Sequence, residues 1–291
     1  MSRIDPRRLD WDLVRSATYR VRQHYRYVYS GAVHDMKQRL VMIPPDRHRD
    51  QVLRSWTLDV RGVEGFCSID WEPDAFGNRV CHVQGERVDH AVDFEALFLV
   101  ERVRDNGAPD SGNAARASLE FTALTAPNDA VRAAAHDIRA AAASPLEQAE
   151  LAHDWAARSI AYQVGVTGTR TPAAMALHLG GGVCQDFAHI MLSLLRSLGL
   201  ACRYVSGHLL GEGAPHAWVE VMLPSGVVAY DPTHHRRAGL DYVTVAVGRD
   251  FADVTMTSGV FTGAASGRLH WSKHADVVQV RPAEAEAGAA A

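Results

Sequence analysis

The hydrophobic pattern of the chain changes part-way along, and this change limits the available folds more than any other feature. From Tyr19 to Tyr29 apolar and polar residues alternate, which is the spacing of a β-strand with one buried face. Similar short runs continue to about residue 103, separated by turn signals such as Asp74–Asn78. From Asn128 onward, Ala-rich charged segments predict helices, and further strands follow them. The pattern therefore predicts an α+β fold that begins with an antiparallel β module.

Composition divides the chain into four parts. The segment after the β-rich part is rich in Asp, Asn, Gly, Ala and Pro, although Ala117–Leu124 could form a strand. The last residues are rich in Ala and Glu and of low complexity, which is typical of a disordered tail. The predicted parts are an N-terminal β-rich domain at 15–105, a linker or crossing segment at 106–127, a core at 128–281 and a tail at 282–291.

Helix boundaries in the second half are marked by residues that favour helix ends. Asn128 and Ser144 are predicted N-caps of helices at 129–142 and 145–160, because their side chains can accept hydrogen bonds from unpaired backbone N–H groups. A third, short helix is predicted to begin near Pro172, since proline suits the first helical turn.

A longer helix is predicted from Cys184 to Leu198, where apolar residues recur on one face and Gly199 follows as an end signal. Cys184 stands at its start, after three glycines and Val183. The positive end of the helix dipole favours a thiolate there, and unpaired N–H groups could bind an oxyanion. The competing interpretation is a small buried side chain, because free cysteines are usually inert. The local sequence alone leaves both interpretations open.

Two later strands carry residues that could serve such a thiol. His216 begins the strand HAWVEVML, and Asp231 ends the next strand, VVAYDP, beyond a hairpin signal at Pro224–Gly226. A loop of two or four residues would place His216 opposite Thr233, on the same face as Asp231 and within reach of a hydrogen bond to it. Taken singly, the histidine could be structural and the aspartate a turn residue. Together with the cysteine they favour a Cys–His–Asp triad.

Other histidines in this region raise the question of a zinc site. The sequence has no CxxC pair and no HExxH motif, so it favours no metal. The residues considered as ligands are His178, His189, His208, His234 and His235, with Cys184 or Cys202.

Composition argues against several classes of function. The formal net charge of −4 does not suit a general nucleic-acid binder. No apolar run approaches the length of a membrane span, and the charged first residues lack the apolar stretch of a signal peptide. The expectation is a cytoplasmic protein with reduced thiols and with no membrane or nucleic-acid partner.

Three sequence blocks, in order, carry a resemblance to a known family. GGGVCQDFAHIMLSLLRSLGLACRYVSGHL, PHAWVEVML and VVAYDPTH together resemble the bacterial transglutaminase-like superfamily. The resemblance implies a papain-like α+β core, in which a helix bearing the cysteine packs on an antiparallel sheet bearing the histidine and aspartate. It implies that Cys184 is the nucleophile, His216 the general base and acid, and Asp231 the group that orients His216. The chain departs from the family's frequent DPTN motif at His234.

The resemblance also implies a reaction, which is cysteine-dependent acyl transfer on the amide bond of a peptide or protein, with no metal or organic cofactor. Hydrolysis of a peptide or isopeptide bond through a thioester is the favoured outcome, while transfer to an amine stays open. A non-catalytic interaction module and a metallohydrolase are two further hypotheses. Tyr162 is the candidate second oxyanion donor, and Gln185 and Trp218 are candidates for the oxyanion site or the substrate-facing surface.

Overall fold

The computed structural model describes residues 4–104, 119–211 and 213–283, and these form a mixed α+β structure. Its helices are α1 (Asp129–Ala141), α2 (Pro145–Ser159), α3 (Ala173–Leu179) and α4 (Cys184–Leu198), with two short 3-10 helices at Pro6–Arg8 and Trp11–Leu13. Its strands are β1 (Val14–Tyr29), β2 (Val33–Leu40), β3 (Arg47–His48), β4 (Gln51–Arg61), β5 (Glu64–Pro73), β6 (Arg79–Val88), β7 (Ala91–Val103), β8 (Ala161–Tyr162), β9 (Gly181–Gly182), β10 (Cys202–Leu209), β11 (His216–Leu223), β12 (Gly226–Asp231), β13 (Arg236–Arg237), β14 (Tyr242–Gly248), β15 (Thr257–Thr262) and β16 (Gly267–Pro282).

The N-terminal strands form two antiparallel sheets, of order β16-β1-β7-β4-β3 and β15-β2-β6-β5. Strand β1 shows why the sequence favours this arrangement, because its buried and exposed residues largely alternate, as the sequence predicts. Its buried face, which includes Tyr19 and Val21, packs with Phe94 and Phe98 of β7 into one apolar core.

The last two strands return to these N-terminal sheets. Strand β16 runs antiparallel to β1 along its length, for example with Val21 opposite Ala275, and β15 pairs with β2. Residues 257–282 therefore lie with the N-terminal strands, which differs from the predicted division that placed 128–281 in the core. The physical reason is that β1 would otherwise be an unpaired sheet edge, with a row of unsatisfied backbone groups.

Two other predicted segments fall only partly within the described residues. Of the predicted linker, 106–118 lies outside them, and 119–127 contains turns and no regular element. The possible strand at Ala117–Leu124 is absent over 119–124. Pro282, where the predicted tail begins, is the last residue of β16, and 284–291 lies outside the described residues.

The core is built from one antiparallel sheet of order β13-β12-β11-β10-β14 and from helix α4, which packs against β10 and β11. Helix α4 begins and ends at the predicted residues, and Gly199 follows it in the left-handed conformation at φ 81°. The other three helices pack on α4. Both predicted N-caps are confirmed, because Asn128 accepts from the Val131 N–H and Ser144 forms a capping box with Glu147.

Two amide side chains, of Gln51 on β4 and of Asn78 just before β6, form hydrogen bonds with the backbone at the edge of the core sheet, on β14. The Gln51 amide donates to the Thr244 carbonyl at 2.7 Å and accepts from the Thr244 N–H at 2.9 Å. The Asn78 amide donates to the Val247 carbonyl at 2.7 Å and accepts from the Val247 N–H at 2.8 Å. Each amide thus donates and accepts as the backbone of a neighbouring strand would, and the two side chains satisfy N–H and C=O groups of β14 that an open sheet edge would leave unpaired.

Candidate active site

Cys184 is the first residue of α4, and its side chain is half-buried. The segment before it is held by a short parallel pairing of Gly181–Gly182 with Ala161–Tyr162. Asp186 caps the N-terminus of α4, because its carboxylate accepts a hydrogen bond from the Val183 N–H at 2.8 Å. A Cβ on Gly182, two residues before Cys184, would lie 2.6–2.8 Å from side-chain atoms of Asp186, so any larger residue there would displace that side chain.

The hairpin of β11 and β12 has the predicted register. Leu223 pairs with Gly226 and Val219 with Tyr230, so the ladder alternates as the sequence predicts. As a result His216, the first residue of β11, reaches Asp231, the last residue of β12, and the His216 Nε2–Asp231 Oδ2 distance is 2.7 Å. The predicted hydrogen bond between these two residues is confirmed.

The thiol of Cys184 is a second hydrogen-bond partner of the same imidazole. Burial of His216 disfavours its charged form, but hydrogen bonds to Asp231 and Cys184 outweigh burial and raise the pKa of His216 to about 10. Because Nε2 is bonded to Asp231, Nδ1 is the ring nitrogen left for the thiol. The three residues predicted from the sequence, Cys184, His216 and Asp231, therefore meet at one point.

Asp231 is fully buried, and its carboxylate accepts five hydrogen bonds. The backbone N–H groups of Thr233 and His234 donate to Oδ1, at 2.9 and 3.2 Å. Oδ2 accepts from His216 Nε2 at 2.7 Å, from His234 Nδ1 at 2.8 Å and from the Tyr242 hydroxyl at 2.6 Å. Burial alone would raise the pKa of Asp231, yet these donors hold it well below its usual range. The carboxylate is thus kept ionised beside His216.

Two of these partners are not evident from the sequence. Tyr242 lies on β14, two strands away in the sheet from β11, and no local motif connects it with Asp231. His234 stands out in the sequence only as a departure from a motif and as a possible metal ligand. The signal that could have found it is its position three residues after an aspartate that needs donors in a tight turn.

The three remaining candidate residues surround the site in different ways. Tyr162 is 61% exposed, and its backbone pairs with Gly182. Gln185 is buried, and its amide donates to the Thr169 carbonyl at 3.3 Å. Trp218 is 2% exposed, and its ring stacks near His216 with centroids 6.3 Å apart. Trp218 thus packs behind the imidazole, while the suggested oxyanion role of Tyr162 stays a prediction.

Potential metal ligands converge at one place among the described residues. One ligand atom each from His216, Asp231 and His234 lies within 4.8 Å of the others. Their hydrogen bonds to Asp231 Oδ2, at 2.7 and 2.8 Å, already account for this closeness. Neither Cys184 nor Cys202, considered above as a zinc ligand, belongs to the group.

Within the described ranges, every helix is too short or too polar to cross a bilayer.

Family comparisons match both halves of the chain. Residues 19–101 match the bacterial transglutaminase-like N-terminal region. Residues 132–232 match the transglutaminase-like superfamily, and this range contains Cys184, His216 and Asp231.

Curated relatives come from mycobacteria. An uncharacterized protein of Mycobacterium leprae is 39% identical over 155 residues, which are 50% of this chain and 55% of that protein. An uncharacterized protein of Mycobacterium tuberculosis is 35% identical over 130 residues, which are 38% of this chain and 41% of that protein. The chain therefore spans about half the length of the curated relatives it matches.

A solved structure has a similar fold over most of the chain. It comes from Cytophaga hutchinsonii, is described as a candidate cysteine protease, and matches with a TM-score of 0.73 over 91% of each chain at 19% identity. At this identity the likeness concerns the fold.

Proposed function

We propose that this chain, which belongs to the transglutaminase-like superfamily, hydrolyses a peptide or isopeptide amide bond through a thioester on Cys184. The observation that carries the proposal is the contact of one imidazole with both a thiol and a buried, ionised carboxylate. A thiol needs a base to become a nucleophile, and the base needs a partner that fixes its orientation and charge.

The first half of the reaction makes the thioester. The proton shared by Cys184 and His216 lies on the imidazole, whose pKa of about 10 is above neutral pH, and the Cys184 thiolate attacks the carbonyl carbon of the amide. The negative charge that develops on the carbonyl oxygen is stabilised by backbone N–H groups at the start of α4. When the tetrahedral intermediate collapses, the C–N bond breaks, and His216 gives its proton to the departing amine. An acyl group is left on the sulfur of Cys184.

The second half returns the site to its starting state. His216, now neutral, takes a proton from a water molecule as that water attacks the thioester carbonyl. The C–S bond then breaks, the carboxylic acid leaves, and the Cys184 thiolate beside the protonated His216 is restored. Asp231 contributes throughout by holding the imidazole and stabilising its cationic form.

Water is favoured as the acceptor because Cys184 is half-buried rather than enclosed, so solvent can reach the thioester. An amine could resolve the same thioester by the same proton transfers, and this would make the chain a transglutaminase or acyltransferase. We further propose a reducing, cytoplasmic setting, which suits a chain whose four cysteines are all free thiols.

The experiment that tests the function is incubation with a peptide pool, with and without a labelled primary amine, followed by mass spectrometry. Hydrolysis predicts cleaved or deamidated products that carry ¹⁸O from labelled water, whereas amine transfer predicts the label on the acyl product. Cys184→Ala is expected to abolish either product. Cys67→Ala is the matched control, because Cys67 is an exposed thiol on β5, outside the site.

No product in the wild-type chain, or product that persists in Cys184→Ala, would contradict the proposal. Absence of product together with tight, saturable capture of peptide would favour the non-catalytic interaction module instead.

A further inference from the structure

The carboxylate beside the proposed base is shared by two histidines. His216 Nε2 and His234 Nδ1 both approach Asp231 Oδ2, at 2.7 and 2.8 Å, and the two imidazole rings lie 5.1 Å apart between centroids. The Tyr242 hydroxyl occupies the same oxygen at 2.6 Å. A carboxylate oxygen offers about two lone-pair directions, so three donors on Oδ2 compete for its electron density.

The two histidines differ in their access to solvent. The His216 side chain is 3% exposed and is also hydrogen-bonded to Cys184, whereas the His234 side chain is 36% exposed. His234 follows β12 in a turn whose backbone N–H groups also hold Asp231 Oδ1. The orientation of Asp231 is therefore fixed by the backbone, and the side chain of His234 adds a further donor to the oxygen that His216 uses.

Ionisable groups from four elements surround the contact between His234 and Asp231. Besides Asp231 on β12, they are His216 on β11, Tyr242 on β14 and His153 on α2, which bonds to the Asp231 carbonyl. Next to His234 in the turn, His235 bonds to Asp154, and Arg236 lies over the Tyr242 ring.

We propose that His234 is a positioning residue that limits how tightly His216 holds its proton, by competing for Oδ2 of Asp231. The inference rests on the proposed function, in which His216 must give that proton to a leaving amine. Each donor on Oδ2 withdraws part of the charge that stabilises the His216 imidazolium. Without His234, Asp231 would bind the imidazolium more strongly, and proton transfer to the amine would become less favourable.

The test measures the titration of His216 itself, independently of any substrate. Imidazole ¹⁵N NMR on the full chain in a Cys184→Ala background follows His216 without a titrating thiol beside it. Replacement with leucine, His234→Leu, removes the donor, and we expect the pKa of His216 to rise by about one unit, a tenfold change in proton affinity. Replacement with asparagine, His234→Asn, restores a donor, because the amide nitrogen of Asn and Nδ1 of His are both attached to Cγ; we expect a pKa near that of the parent.

The matched control is His235→Asn. His235 lies next to His234, and its side chain bonds to Asp154 instead of Asp231. It has a φ of 52°, which asparagine tolerates. We expect no change in the His216 titration. Should His234→Leu fail to fold, His234→Ala takes its place with the same expectation.

The proposal is overturned if the donor-free variants leave the pKa of His216 unchanged or lower it, or if His234→Asn shifts it as much as His234→Leu. A purely structural role for His234 would lower thermal stability equally in the leucine and asparagine variants without moving the titration upward. Because no turnover is measured, the result stays interpretable even if the chain does not hydrolyse amides.

Discussion

The Tyr242 hydroxyl donates to Oδ2 of Asp231 at 2.6 Å, which ties strand β14 to the carboxylate behind His216. Both residues are fully buried. Burial, together with the negative charge of Asp231, raises the pKa of Tyr242 well above its usual range, so the hydroxyl remains a donor. The site thus draws on residues from β12 to β14, four of the five strands of the core sheet.

Loss of this donor should destabilise the chain measurably. We expect Tyr242→Phe to lower the free energy of unfolding by about 1.5–3 kcal/mol, the range for hydrogen bonds to charged groups. Tyr25→Phe is the matched control, because the hydroxyl of buried Tyr25 has only neutral acceptors, the Met256 sulfur and the Gln23 amide oxygen, so its loss should cost only about 1 kcal/mol. Urea denaturation of the two variants measures the difference, and equal costs would contradict the special role of the charged acceptor.

The four thiols should react with iodoacetamide at different rates. Burial raises the pKa of Cys81 to about 12 and that of Cys202 to about 11, and it also raises the pKa of exposed Cys67. Cys184, which is hydrogen-bonded to His216, should therefore react first at neutral pH. Peptide mass spectrometry after brief labelling gives the order.

The imidazole should account for that reactivity. We expect His216→Ala to slow labelling of Cys184 roughly tenfold or more, the effect of losing about one charge-assisted hydrogen bond. Labelling of Cys67, far from the imidazole on β5, serves as the internal control. An unchanged labelling rate of Cys184 in that variant would contradict the proposal that His216 activates the thiol.

Stability should fall as the solution becomes alkaline. The pKa of His216 rises from 6.5 to about 10 on folding, so the folded chain binds the proton more tightly than the unfolded chain. The stabilisation is complete below pH 6.5 and is lost as pH rises through about 10. Denaturation between these two pH values should show the decline, and His216→Asn should show a shallower one. A decline of the same steepness in that variant would assign the effect to other groups.

The two amides that join β14 should stabilise the contact between the N-terminal sheets and the core sheet. We expect Asn78→Ala to cost about 1–3 kcal/mol, because it leaves buried backbone groups of Val247 without partners. Gln84→Ala, on the exposed side of β6, is the control and should stay within about 0.5 kcal/mol of the wild type. If the two substitutions cost the same, the amide bridge has no energetic role.

Local patterns in the sequence predict much of this structure. The caps at Asn128 and Ser144, the bounds of α4 and the register that joins His216 to Asp231 all follow from spacing and turn chemistry within a few residues. What could not be predicted depends on contacts between distant segments. The pairing of β16 with β1 and the bond from Tyr242 to Asp231 leave no periodic signal, since each satisfies a group elsewhere in the fold.

The pairing of β1 with β16 also has a consequence for the order of assembly. Val14–Tyr29 must wait for Gly267–Pro282, the last strand among the described residues, before its outer edge is covered. Loop closure over so long a stretch of chain is slow, and during synthesis the N-terminal segments leave the ribosome well before their partner. Until β16 is made, β1 therefore exposes unpaired backbone N–H and C=O groups. Association of the nascent chain with neighbouring chains or with chaperones is most favoured during that time.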